Sequence, residues 1–415
     1  MSKVDQNIEE FVKYIIENNI NLNPSPEYFG KKSGRYVNKQ LTEEYQNLEN
    51  MIFDVLLENN KDANGENLIT KKDLEEELVI LVEEVKTIGL ANIDINTKIR
   101  EWKNEITSKS QNAITYFLPV FNLNIATSKE KITSEINVYS SKEVLTHIKN
   151  KRNQNYSQIK KYLIQPDSAV LGIEVKGYGN GNEISLSKAI ALGQLFVSLV
   201  NFLVDIDKPK CVLVRDISYV EEKYNTFSGW QAVKEVNSFI MDENNPNINE
   251  SFLMPSNVKN FSFIFDPQKN RERQIRNAIR WLGESIVDDN INNAYVKVMI
   301  ALESIAEVKP DPLLSPSITD QISTMTALIT EENSEKKIDV RERLKKAYRN
   351  RSNLVHGTEK NIDYRDYVFV ANKVKKMIQE LSLNSEYTRY SNIEELWKDL
   401  TNRMLSADIR PFKDC

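Results

Sequence analysis

The chain has only two histidines, His147 and His356, so proton transfer by imidazole near neutral pH must use one of them. His356 closes the stretch Arg351-Ser-Asn-Leu-Val-His356-Gly357, which sets a guanidinium five residues before the imidazole. Arg349, seven residues before, offers a second register. These residue types can cleave an RNA phosphodiester through its own 2′-hydroxyl. Imidazole moves the protons, and a guanidinium clamps phosphate oxygens without losing its charge. That chemistry asks for no metal ion and no organic cofactor, and neither is expected. Lys345, Lys346, Tyr348, Arg349, Ser352 and Asn353 surround the pair and are candidates for contact with the RNA. A single imidazole cannot be base and acid at once, which predicts two copies of the chain at one phosphate.

Other constellations are weaker. Glu174 and Lys176 would share one side of a strand, and with Asp167 they are similar to the PD-(D/E)xK nuclease pattern. Asp167, however, lies only seven residues before Glu174, a short spacing for that fold. Gly177, Gly179 and Gly181 read as a glycine-rich turn, because the full dinucleotide fingerprint and a Walker lysine are missing. The stretch Lys61–Glu77 hints at a calcium loop, but its spacing after Gly65 does not fit. His147 has no arginine at the motif spacing upstream and reads as structural or solvated.

The His356 motif ends a basic helix. From Lys336 to Arg351 there are eight Lys or Arg and two acids. Val340, Leu344 and Ala347 mark its apolar side. Three more stripes precede it: Ile275, Ile279, Leu282 and Ile286; then Val298, Leu302 and Ile305; then Ile318, Ile322, Met325 and Ile329. Val370, Val374, Met377 and Leu381 follow it. Short polar joints, one punctuated by Pro310, Pro312 and Pro316, predict an antiparallel bundle over 267–390, with a helix and tail over 391–415.

Upstream, 1–150 reads as mainly helical, from Phe11, Tyr14 and Ile15, from Leu48, Ile52 and Val55, and from Leu78, Leu81, Val82 and Val85. The segment 151–266 reads as α+β. Strands are predicted at SAVLGIEVKG, at KCVLVRDISYV and at FSFIF over 261–265, with an apolar helix over Ser187–Asp205. The fold class is therefore mainly α with a central α+β module.

RSNLVHG, together with MIALESI some fifty residues upstream, resembles the Apea-like branch of the HEPN superfamily over residues 270–385. The resemblance implies a helical bundle that dimerises and a metal-independent ribonuclease site across the dimer axis. It also implies use in bacterial anti-phage abortive infection, with a phage-derived trigger or partner. It places Arg351 and His356 at the family's arginine and histidine, and Glu303 at the glutamate of an Ala-Leu-Glu helix. Glu303 then either orients Arg351 or pairs within the bundle. Arg351 continues the Leu344–Ala347 stripe toward the presumed dimer seam, whereas Arg349 continues an exposed face. A helix that ends or bends near His356 would favour Arg351 as the catalytic arginine. Non-catalytic relatives that bind nucleotides or partner proteins are the other reading of the same resemblance.

Composition bounds the rest. At 415 residues the chain exceeds one ordinary core, and a net charge of −5 makes any nucleic-acid contact a matter of a local basic patch. Two cysteines, Cys211 and Cys415, imply no disulfide framework and suit a reducing cytoplasm. The stretch Ala189–Val204 is apolar but carries Gln194, Ser198 and Asn201, so a buried helix, not a membrane span, is expected. Residues 1–266 are expected to sense a trigger, bind a partner or restrain the bundle.

Overall fold

The computed structural model describes residues 2–22, 29–32, 35–38, 41–62, 65, 67–150, 169–178, 183–206, 210–213, 217–222, 228–232, 252–306, 308, 317–357 and 361–408. Asp167, Gly179, Gly181, the three joint prolines and Cys415 lie outside them. In chain order the first elements are α1 (Lys3–Glu17), β1 (Phe29–Lys32), β2 (Arg35–Asn38), α2 (Glu43–Asn59), α3 (Lys71–Ile88), α4 (Ile95–Ser110) and β3 (Asn112–Phe121). Next come β4 (Leu123–Asn124), β5 (Lys129–Lys131), β6 (Ile136–Ser140), α5 (Ser141–Asn150), β7 (Ala169–Gly177), α6 (Glu183–Leu203), β8 (Val212–Leu213), β9 (Ile217–Glu222), β10 (Ser228–Ala232) and β11 (Phe252–Leu253). A 3-10 helix over Ser256–Ile264 leads into α7 (Asn270–Ile286), α8 (Ile291–Ala306), α9 (Ile318–Thr330), α10 (Ser334–Val355), α11 (Tyr364–Leu383), α12 (Ser385–Thr388) and α13 (Ile393–Asp408). The protein is thus mainly α-helical with a central α+β part. The chain divides into two compact units, both discontinuous in sequence.

The first unit takes Met1–Phe117, Ile173–Ile190 and Ser218–Gln231. Its helices start where the sequence supplies caps: Ser2 and Asp5 form a capping box on α1, and Thr70 and Asp73 form one on α3. Those helices bury Ile8, Phe11, Val12 and Ile15 against Leu74, Leu78, Leu81 and Val85, with Ile99, Trp102 and Ile106 from α4. On α2 the buried side is Ile52, Phe53 and Leu56 together with Glu49, while Val55 is exposed, so the expected stripe is turned by about one position. β3 pairs antiparallel with β9, Ile114 opposite Glu222 and Phe117 opposite Tyr219. Lys61 bridges to Asn67, Asp62 pairs with Lys188 at 2.7 Å, and from Lys71 onward the segment 61–77 belongs to α3.

The second unit holds Leu118–Gly172, Ala191–Ile217 and Ala232–Cys415. β5 and β6 form an antiparallel hairpin, and the end of β3 pairs with β8, Val120 opposite Leu213. α6 includes a stretch long and apolar enough to cross a bilayer, yet every residue from Leu195 to Phe202 is buried in the protein. A helix apolar all round in this setting is a core helix. Its polar Asn201 is satisfied by both backbone groups of Cys211, at 2.8 and 2.9 Å. Gly283 on α7 is required by the close approach of α6, since a Cβ there would sit 2.4 Å from the Cβ of Ser198. α7 packs on α8, α9 on α10, and α11 covers α8, α7 and α9. The expected bundle stripes are buried, except that Ile318 at the start of α9 is exposed.

Two expectations change. Strands β1 to β6 lie inside 1–150, the segment read as mainly helical. FSFIF is not a strand: Val258, Phe261 and Ile264 are the buried residues, a period of three that suits the 3-10 helix, and Phe263 and Phe265 are only half-buried. Within KCVLVRDISYV the described residues are extended in β8 and at the start of β9, both antiparallel to β3.

Candidate active site

α10 delivers the Arg and His side chains. It runs without interruption from Ser334 to Val355, started by Asn333, whose side chain accepts from the amides of Glu335 and Lys336. His356 is the C-cap, its N–H still donating to Ser352 O at 3.0 Å, and Gly357 then takes φ +73 and ends the helix. The helix therefore ends at Val355 with His356 as its cap, as expected of a helix that ends near the histidine. At 100° per residue, Lys346, Arg349, Asn353 and His356 fall in one row along the helix. All four are exposed, as is Ser352. Arg349 shares the face of His356 from about two turns away, whereas Arg351 lies roughly 140° around the axis.

Arg351 turns into the bundle. Its Nη1 donates to Glu303 Oε1 on α8 at 2.7 Å, with the two side chains 30% and 20% exposed. Its Nε is buried and finds no acceptor among the described residues. Of the two roles open to Glu303, it pairs with Arg351, and that contact also holds the guanidinium in one place. Lys345 is drawn away from solvent to Asp320 at 2.7 Å, which Arg341 also meets at 3.3 Å. Lys345 beside Asp320, with help from Ser317, holds that carboxyl below its usual range. Tyr348 is buried, and next to it Tyr295 Oη donates to Ala347 O at 3.1 Å. The candidates thus separate: Lys346, Arg349, Ser352, Asn353 and His356 face solvent, while Lys345, Tyr348, Arg351 and Glu303 are tied into the bundle.

One feature of this helix escaped the sequence. Arg343, Lys346 and Ala347 on α10 and Asp366 and Phe369 on α11 line an open cleft of about 300 Å³. Arg343 lies over the Phe369 ring at 3.7 Å, and Asn350 Nδ2 reaches Asp366 Oδ2 at 3.4 Å. The available signal was the i, i+3 spacing of Asp366 and Phe369 facing a basic helix, which names no neighbour by itself.

Glu174 is half-buried and Lys176 exposed on one side of β7. His147 is exposed on α5. Among the described residues no group of three or more His, Cys, Asp or Glu side chains is placed to hold a metal ion. Comparison with known proteins found no matching family model, no matching curated protein and no matching solved structure.

Proposed function

We propose that the C-terminal bundle is an endoribonuclease of HEPN type, in which His356 moves protons and Arg351 stabilises the charge that builds on phosphorus. The observation that carries the reading is the end of α10, which presents a solvent-exposed imidazole at its C-cap and, on another side of the helix, an arginine held in place by a carboxylate from another helix. Such a guanidinium is preorganised and costs little rearrangement when the transition state forms. Arg349, Lys346 and Asn353 continue the same exposed row and suit phosphate contact. Since His356 and Arg351 of one chain point to different sides of the helix, two copies supply a complete site: the arginine of one serves the histidine of the other. In this reading the protein works as a dimer on RNA in the cytoplasm, and residues 1–266 answer to a trigger, of phage origin in an abortive-infection role.

The test is RNA cleavage by purified wild-type protein and His356→Ala, each with EDTA. Wild type is expected to cleave in EDTA and to leave 2′,3′-cyclic phosphate ends, and His356→Ala to be inactive. Equal activity of the two proteins, in preparations free of other nucleases, removes His356 from the mechanism. Strict magnesium dependence with 5′-phosphate products points instead to Asp167, Glu174 and Lys176. RNA bound but left intact by wild type indicates a non-catalytic binding bundle.

A further inference from the structure

We propose that the cleft between α10 and α11 is a base-binding subsite that takes a guanine of single-stranded RNA, two to three nucleotides from the scissile phosphate. The proposal rests on the ribonuclease reading for the identity of the polymer, and on the cleft itself for the identity of the base. The cleft is small and open to solvent, a place for part of a nucleotide and not for a whole oligonucleotide.

Its walls carry three different chemistries. Arg343 lies over the Phe369 ring, 3.7 Å from its centroid, and its side chain is nearly half exposed. Guanidinium planes backed in this way stack bases of single-stranded RNA. Lys346, one turn on, is exposed and makes no ion pair with any described residue, so it is available to phosphate. Asp366 on the opposite wall likewise makes no ion pair among the described residues and accepts only the long contact from Asn350. An acid and a base thus line one cleft without closing on each other.

The carboxylate selects the base. It is acceptor-only, with two oxygens side by side. Guanine is the standard base whose Watson–Crick edge presents two adjacent donors, N1–H and the N2 amino group. Adenine and cytosine place a lone-pair nitrogen beside their amino group, and uracil flanks its one N–H with carbonyls, so each sets an acceptor against the carboxylate. The position also fits. Asn350, at the Asp366 end of the cleft, stands six residues before His356 on one continuous helix, about 9 Å along the axis and roughly 120° around it, so the strand wraps partly round the helix between the two. That distance is roughly two to three stacked nucleotides.

The experiment uses the full chain and short single-stranded RNAs containing one guanine or one inosine, which lacks the N2 amino group. Binding is read by fluorescence anisotropy on versions carrying 2′-O-methyl groups that block cleavage, and cutting is read on the unmodified strands. Wild type is expected to bind the guanine strand about tenfold more tightly than the inosine strand, as one charge-assisted hydrogen bond predicts. Asp366→Asn, nearly isosteric, should bring that ratio close to one. Phe369→Leu should weaken both strands about tenfold and keep the ratio. Binding with guanine preference but no cleavage supports the subsite while removing the ribonuclease reading. Cleavage with no preference between the strands, or an undiminished preference in Asp366→Asn, overturns the subsite and leaves the ribonuclease reading standing. No binding of either strand overturns the subsite as well.

Discussion

Glu77 in the first unit and Glu303 in the second are both carboxylates withdrawn from water, and both meet a cation from a helix distant in sequence. They differ in completeness. Glu77 is buried, and its Oε1 accepts from Lys109 Nζ at 2.9 Å and from the Tyr178 hydroxyl, while its backbone oxygen accepts from Trp102 Nε1 at 3.0 Å. Burial works against the charge on Lys109, but its hydrogen bonds to Glu77 and Glu105 outweigh that and raise its pKa. The two cations are similarly exposed, Arg351 at 30% and Lys109 at 34%, but Glu303 is 20% exposed against 8% for Glu77, and Arg351 Nε finds no acceptor among the described residues. A buried carboxylate with several donors fixes packing, whereas a pair with an unanswered guanidinium N–H keeps part of its cation available to a ligand.

Removing the imidazole tests the open side of that comparison most severely. His356→Ala should lower cleavage by about a thousandfold, within the range of general acid–base catalysis, and leave hydrogen exchange of α8 and α10 unchanged because His356 is exposed. A loss of exchange protection along with activity would make His356 structural. Glu77→Ala should do the opposite. Leaving Lys109 and the Tyr178 hydroxyl unanswered should cost about 3 kcal/mol, seen as faster exchange in α3 and α4, with cleavage per folded molecule unchanged.

Another carboxylate of the first unit extends the same logic to pH. Burial pushes the Glu49 carboxyl up to about 7, against the pull of Lys71 and aided by Glu75. The folded state therefore keeps this proton when the unfolded chain loses it. Stability from this group is full below about 4.5, falls as pH rises toward about 7, and is flat above, a change of about 3 kcal/mol. The denaturation midpoint should be higher at pH 5 than at pH 8, and Glu49→Gln should reduce the difference, leaving the smaller part due to Glu75, whose carboxyl is also pushed up by burial. Carboxyls held low, such as Asp5 and Asp320, act at lower pH and leave this window clear. An equal slope in wild type and Glu49→Gln would assign the effect elsewhere.

The arginines sharpen the comparison further. Arg351→Ala should lower single-turnover rates by about a hundredfold, since a positioned cation is lost at the transition state. Arg349→Ala should lower them about tenfold and reduce the salt dependence of binding, as expected of a phosphate contact. Lys336→Ala, four turns earlier and exposed, should change little. Should Arg349→Ala be inactive and Arg351→Ala active, the register on the same face as His356 is the catalytic one, and Glu303–Arg351 belongs with Glu77–Lys109 as a structural pair.

What could be read from the chain alone were features with a short period or a local cause. The bundle stripes are spaced by the helix turn itself, so Ile275 to Leu381 could be placed on buried faces without knowing what they touch. Ser2, Thr70 and Asn333 announce helix starts within four residues of themselves. Strand β3 was concealed because Pro119 interrupts an otherwise β-branched and aromatic run directly after α4. FSFIF misled because alternation over five residues looks the same whether the chain extends or coils with period three. The motif at His356 was legible as a spacing, but its geometry was not. Whether α10 would stop before or after the histidine depended on where the chain turned at Gly357. That Arg351 would meet Glu303, 48 residues away, and that Arg343 would lie on Phe369 across a cleft, were decided only when separate helices packed. Side-chain identity limits what a residue can do, but a contact between distant residues is set by the packing of the whole core, and no local pattern encodes it.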